Sequence, residues 1–167
     1  FHALARDSSR LAAAGQGASV GVVTAWTSGP WVPEALSSLG ANAPESIAGF
    51  VLAGFACGAP TPGLLALVVQ GTRHHSPLAR IAGLAVATFS IESACAHVPG
   101  FIPWVLWGHA AIDSSGLAQL AFTGGVPMVS ALLAAAGWGV AEYFRTGLKQ
   151  RSKRCAFAVL VGVLVTA

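Results

Sequence analysis

Two long runs without a charged residue constrain this chain more than any other feature. Residues 46–72 and 116–141 contain no Asp, Glu, Lys or Arg. Each run is long enough to cross the hydrocarbon core of a bilayer, which takes about 20 consecutive apolar residues in a helix. Only 9% of the 167 residues are charged, whereas a soluble domain carries about 25%. The runs therefore predict a polytopic membrane protein, and a soluble protein with an unusually buried core is the alternative.

Five apolar segments follow one another and are the predicted helices of an all-α transmembrane bundle. They cover residues 11–28, 46–72, 81–98, 116–141 and 155–167, separated by predicted loops. Pro60 and Pro62 interrupt the second segment, which predicts either one kinked helix or a helix followed by a shorter hairpin arm. We favour the kinked helix because the next loop is basic. The fifth segment is too short to span the bilayer as a helix, so we expect the natural chain to continue past residue 167.

The first segment contains a glycine pair with helix-packing spacing. Gly17 and Gly21 form a Gly-x-x-x-Gly pattern, which lets a neighbouring backbone approach closely. In a chain with 20 glycines, chance explains the pair equally well.

The basic residues alternate between loops and predict an orientation. Lys and Arg number two before residue 11, none in 29–45, two in 73–80, none in 99–115 and five in 145–154. Positive loops stay in the cytoplasm. This predicts a multi-pass protein of a bacterial inner membrane with its N-terminus cytoplasmic and residues 99–115 outside. The phospholipid bilayer is then the expected partner, and direct nucleic-acid binding is not expected, because the basic residues are confined to short loops.

Residues 98–126 hold the most specific pattern, VPGFIPWVLWGHAAIDSSGLAQLAFTGGV. Pro99 and Pro103 resist continuous helix, and Trp104 and Trp107 are typical of a membrane–water boundary. The stretch predicts a Pro/Trp-rich interfacial or re-entrant loop between two helices. Just before it, Glu92 is an acid inside an apolar segment, and such residues usually face the bundle interior. Glu92 is interpreted either as a functional acid or as a hydrogen-bonded structural one.

No set of residues within the chain predicts catalysis. His97, His109 and Asp113 lie near serines, but no Gly-x-Ser-x-Gly nucleophile motif accompanies them. The adjacent His74 and His75 point apart and have no third metal ligand nearby. Three cysteines lack the paired spacing of disulfides or zinc ligands: Cys57, Cys95 and Cys155. The chain is therefore predicted to hold no catalytic residue, metal site or cofactor.

Residues 81–144 resemble the membrane part of the apolipoprotein N-acyltransferases and of the related TraB-type plasmid conjugal-transfer proteins. In that family a helix bearing Glu leads into a Gly-Phe-Pro-Trp loop, a Leu-Ala-Gln-Leu segment and a Gly-Val helix start. This chain offers Glu92, the sequence LAQL at 117–120, the sequence GV at 125–126, and five matching loop residues: Gly100, Phe101, Pro103, Trp104 and Gly108. Ile102 is an insertion relative to the pattern. The resemblance implies an extracytoplasmic nitrilase-like domain after residue 167, whose Glu-Lys-Cys triad moves an acyl chain from a phospholipid onto a lipoprotein's N-terminal amine.

Two classes of function stay open. In the first, the chain is the membrane module of an acyltransferase-like protein, itself inert, with a lipoprotein substrate or the conjugation machinery as partners of the missing domain. In the second, it is a non-catalytic accessory protein of conjugation or a small transporter. A transporter should show inverted repeats, and no convincing repeat is present. Whether the full protein is an enzyme is left open by the sequence.

Overall fold

The computed structural model describes residues 9–98, 106–111 and 115–146, and every regular element in these ranges is helical. The elements are α1 (Arg10–Ser28), α2 (Val32–Ser38), α3 (Ala43–Ala53), a π-helical turn (Gly54–Gly58), α4 (Pro60–Gly71), α5 (Pro77–Ala96), a 3-10 helix (Trp107–Ala111) and α6 (Ser115–Thr146). The all-α prediction is confirmed. The fifth predicted span, residues 155–167, lies outside the described residues.

Within the described residues, three helical runs are long and apolar enough to cross a membrane. They are Ala43–Gly71, Pro77–Ala96 and Gly116–Glu142, at the second, third and fourth predicted segments. Many large apolar side chains on the described helices are exposed, such as Phe122 at 96%. Apolar surface of this kind fits contact with a lipid bilayer. The first helix, α1, is less apolar and is not among the three.

The chain divides into two compact units, one of residues 1–70 with 95–105 and one of residues 71–94 with 106–167. In the first unit, α1 packs on the π-helical turn and on α4 through backbone contact. A Cβ atom added to Gly21 would collide with the carbonyl oxygen of Gly58, and one added to Gly17 would collide with that of Pro62. The Gly-x-x-x-Gly pair thus provides close helix approach.

The hydroxyl groups on the exposed face of α1 are satisfied within the helix itself. Each donates to a carbonyl of the preceding turn: Ser19 to Gly15 at 2.8 Å, Thr24 to Val20 at 2.9 Å, Thr27 to Val23 at 3.0 Å and Ser28 to Thr24 at 2.7 Å. This back-bonding removes the need for an external partner.

The second predicted segment is a single helical run, as favoured from the sequence. Pro60 and Pro62 do not end it, because the π-helical turn lies directly before them. A wider turn at this point accommodates prolines, which cannot donate to the helix ladder. Ala59 still donates to the carbonyl of Phe55 at 3.3 Å, and Gly63 donates to that of Ala59 at 3.1 Å.

The segment 29–45, predicted as a loop, contains the short helix α2 and the start of α3. A capping box begins α3. The Glu45 N–H donates to Asn42 Oδ1 at 3.0 Å, and the Asn42 N–H donates to Glu45 Oε2 at 2.9 Å. Pro44 lies in the first turn, where its missing N–H costs nothing.

In the second unit, α5 begins at Pro77, earlier than the start predicted at residue 81. Ser76 precedes it; its hydroxyl accepts from the Ala79 N–H at 3.3 Å and its carbonyl from the Arg80 N–H at 3.0 Å. The prediction that Arg80 belongs to the basic loop 73–80 is therefore wrong, because this residue lies in the first turn of a helix and is 2% exposed. One of the two arginines of residues 73–80 remains in the shorter loop 73–76. Basic loops therefore still alternate with loops that contain no Lys or Arg.

A break at Gly125 divides α6 into two helical parts. Gly125 has φ 70° and ψ −179°, a backbone conformation that favours glycine. Pro127 follows shortly after and disfavours helical geometry in the residue before it. The break at Gly125 thus lies two residues before the proline.

Candidate site around Glu92

Two of the six predicted site residues, Glu92 and Gly108, lie within the described part of the second unit. Gly100, Phe101, Pro103 and Trp104 lie outside the described residues, as does Asp113. The site is therefore described through Glu92 on α5, the 3-10 helix that contains Gly108, and the part of α6 that faces them.

Glu92 ends a buried row along α5. The buried residues of this helix are Arg80, Leu84, Thr88 and Glu92, spaced four apart and hence on one face. Glu92 is 1% exposed and Thr88 is fully buried. The Thr88 hydroxyl donates to the Leu84 carbonyl at 2.8 Å. The prediction that Glu92 faces protein instead of lipid agrees with this burial.

The Glu92 carboxylate binds the backbone of the 3-10 helix. Its Oε1 accepts from the Trp107 N–H at 3.3 Å, a long hydrogen bond. The next amide, that of Gly108, donates to the Ser130 hydroxyl oxygen at 2.6 Å. The Ser130 side chain also lies beside the Glu92 carboxylate, whose Oε2 atom is buried and has no hydrogen-bond partner among the described residues. We call Glu92, Ser130, Trp107 and Gly108 the Glu92 cluster.

The structure leaves no space for a side chain at position 108, which is a glycine. A Cβ atom at this position would lie 2.5 Å from the Val126 carbonyl oxygen, 2.9 Å from Val126 Cγ1 and 3.0 Å from Ser130 Oγ. The 3-10 helix thus rests directly on the backbone of α6, just after the break at Gly125. Any side chain at position 108 would push the 3-10 helix away from its hydrogen-bond partners.

A second polar group lies at the other end of the same two helices, and sequence reasoning missed it. Arg80 Nη1 pairs with Glu142 Oε1 at 2.7 Å, and both side chains are buried. The guanidinium carbon of Arg80 lies 5.6 Å from the centre of the Trp138 ring, within cation–π range. We call Arg80, Glu142 and Trp138 the Arg80 cluster. The sequence does contain a signal that α5 begins before Arg80: Ser76 is a typical cap residue, and Pro77 is typical of the first position of a helix.

The hydrogen bonds of the Glu92 cluster are suited to holding a loop in place. The Ser130 hydroxyl oxygen and Glu92 Oε1 each accept a hydrogen bond from a backbone amide, whereas nucleophilic catalysis needs a nucleophile freed by a positioned base. Among the described residues, no group of three His, Cys, Asp or Glu side chains is placed to hold a metal ion. Cys57 is buried and Cys95 partly buried, and neither forms a disulfide within the described residues.

Comparison with known families bears on most of the chain. The family model for the apolipoprotein N-acyltransferase N-terminal domain matches residues 1–146. That range includes α1 to α6 and both clusters. No curated protein and no solved structure gave a match.

Proposed function

The chain belongs to the apolipoprotein N-acyltransferase family through its N-terminal membrane domain, and on that premise we propose that it anchors an acyl-transfer domain at the lipid surface. The domain that follows residue 167 is a nitrilase-like one, placed outside the cytoplasmic membrane. It carries the catalytic residues for moving an acyl chain from phospholipid to the N-terminal amine of a lipoprotein. The described membrane part supplies position and no catalytic group.

The Glu92 cluster is the observation that best supports this role. It ties two successive amides of the loop, those of Trp107 and Gly108, to two different membrane-spanning helices. A loop held at two points on a helical framework is a firm support, because its backbone cannot shift without breaking buried hydrogen bonds. A firm outer loop is what a lipid-facing catalytic domain needs beneath it.

The proposed orientation places the Glu92 cluster on the outer side. The loop 99–115 has no Lys or Arg, whereas residues 145–154 have five, and basic loops stay in the cytoplasm. The N-terminus is then cytoplasmic, and the membrane is the bacterial inner membrane. The Arg80 cluster, at the opposite ends of α5 and α6, lies toward the cytoplasm.

A chimera tests the proposal. Residues 1–154 replace the corresponding part of an active N-acyltransferase, which supplies a complete fifth helix and the nitrilase-like domain, and lipoprotein N-acylation is measured by mass spectrometry in cells that lack their own enzyme. We expect acylation with the wild-type module and with Glu92→Gln, whose amide oxygen still accepts from the Trp107 N–H. Glu92→Leu should reduce acylation because it removes that acceptor. The catalytic cysteine variant of the added domain is the inactive control.

Two outcomes would contradict the proposal. A chimera that inserts and accumulates normally but leaves lipoproteins unacylated would favour the alternative, a non-catalytic accessory protein of conjugation. Purified residues 1–167 can also be incubated with labelled phospholipid. A stoichiometric, hydroxylamine-sensitive adduct on one of the cysteines would show that the chain itself takes up an acyl group.

A further inference from the structure

The two polar clusters are equally spaced along both helices of the second unit. Arg80 and Glu92 are separated along α5 by the same number of positions as Ser130 and Glu142 along α6. At a rise of about 1.5 Å per residue, each interval is about 18 Å. Arg80 pairs with Glu142 and Glu92 lies with Ser130, so the two helices run antiparallel, with one polar cluster at each of two depths.

We infer that Arg80 and Glu142 are positioning residues: their ion pair sets the axial register of α5 against α6, and thereby brings Glu92 opposite Ser130 and the 3-10 helix. Apolar side chains alone define register weakly within lipid, because a slip by one turn exchanges one apolar contact for another. A buried ion pair permits one alignment only, since any slip leaves two buried charges apart.

The surroundings of the pair support a role in register. Arg80 is held on one side by the Glu142 carboxylate and on another by the Trp138 ring. Trp138 and Glu142 have the i, i+4 spacing on α6 and so lie on one face. Between the clusters, α5 buries Leu84 and Thr88, and the Thr88 hydroxyl is bonded to its own helix. Neither side chain is tied to α6 by a polar bond of the described residues, which leaves register to the clusters.

Variants that separate register from stability provide the test. The double substitution Arg80→Met with Glu142→Leu replaces the pair by apolar side chains of similar size, an exchange that often leaves stability unchanged or raised. The swap Arg80→Glu with Glu142→Arg restores an ion pair, and its arginine can stack on Trp138 from the same helix. Arg73→Met removes an exposed arginine and is the matched control.

Spin labels report register directly. Exposed positions Ser90 on α5 and Ala141 on α6 are changed to cysteine in a background without native cysteines, and the label distance is measured by pulsed electron paramagnetic resonance in lipid nanodiscs. We expect one narrow distance for the unsubstituted pair, the swap and Arg73→Met. The apolar double variant should broaden the distribution about twofold, because a slip of one turn moves a label about 5.4 Å along the axis.

Hydrogen exchange at the far cluster is the second measurement. The amides of Trp107 and Gly108 are bonded to Glu92 and Ser130, neither of which is altered in these variants. Loss of register should speed exchange of both amides about tenfold in the apolar double variant, with recovery in the swap. The inference is overturned if the apolar double variant keeps both the narrow distance and slow exchange. It is also overturned if the swap, folded, fails to recover either. Neither measurement involves acyl transfer, so the result stands apart from the proposed function.

Discussion

Replacing Gly108 by alanine is the sharpest perturbation of the Glu92 cluster. The added Cβ would lie 2.5 Å from the Val126 carbonyl oxygen and 3.0 Å from Ser130 Oγ, so the 3-10 helix must move away from α6. Overpacking of this kind costs about 1–3 kcal/mol. The move also breaks the hydrogen bond between the Gly108 N–H and Ser130. Hydrogen bonds between membrane helices contribute about 0.6 kcal/mol on average and at most roughly 1.7 kcal/mol to stability. We therefore expect a loss of about 2–5 kcal/mol, most of it steric.

The matched control is Gly137→Ala in the same helix, α6, against which the 3-10 helix rests. Gly137 has no atom within 4 Å of an added Cβ, so alanine should be neutral or stabilise the helix by up to about 1 kcal/mol. Both variants are compared with wild type by titration with sodium dodecyl sulfate in mixed micelles, with helix content as the readout. Amide exchange at residues 107 and 108 detects a local release of the 3-10 helix. The reasoning is refuted if Gly108→Ala stays within about 0.5 kcal/mol of wild type and exchange is unchanged.

The glycine contact of α1, the cap of α3 and the loop topology each give a further prediction. Gly21→Ala should destabilise the first unit by about 1–3 kcal/mol, since its Cβ collides with backbone, whereas Gly15→Ala, with open space around it, should not; equal unfolding midpoints for the two would contradict this. Asn42→Ala removes the capping box of α3 and should cost about 1 kcal/mol, and a loss below measurement error would count against the cap. A cysteine at position 110 should react with an impermeant maleimide added outside intact spheroplasts, and one at position 150 only after permeabilisation; the reverse pattern would invert the proposed topology.

The placement of the spanning helices was predictable because it depends on apolar length alone. The uncharged runs 46–72 and 116–141 are too apolar to be solvated by water, and inside a bilayer such a run can only be a helix or part of a closed barrel. Helix starts depend on caps instead. The pair Asn42 and Glu45 and the dipeptide at residues 76–77 were readable signals, but charge was given more weight than capping. Arg80 was assigned to a loop for that reason.

No local sequence pattern predicts which residues contact Glu92. Its burial followed from the cost of a charge in lipid, but Ser130 lies on a different helix and is one serine among many. Which serine meets which carboxylate is decided by the register of α5 against α6, a tertiary property. The same holds for Glu142, which looks like the ordinary polar end of an apolar span until Arg80 is found beside it.

The contact between Gly21 and Gly58 has a consequence for how the protein is made. Helix α1 leaves the ribosome before the three runs that are long and apolar enough to span, yet it is less apolar than they are, and its closest contacts are to the backbone of a later element. Weak apolar character gives a helix little tendency to partition into lipid by itself. We therefore expect stable insertion of α1 to depend on Gly58 and Pro62 having been synthesised. We expect the first and second predicted spans to enter the membrane as a pair, so that a substitution at Gly58 appears as a defect in the insertion of α1.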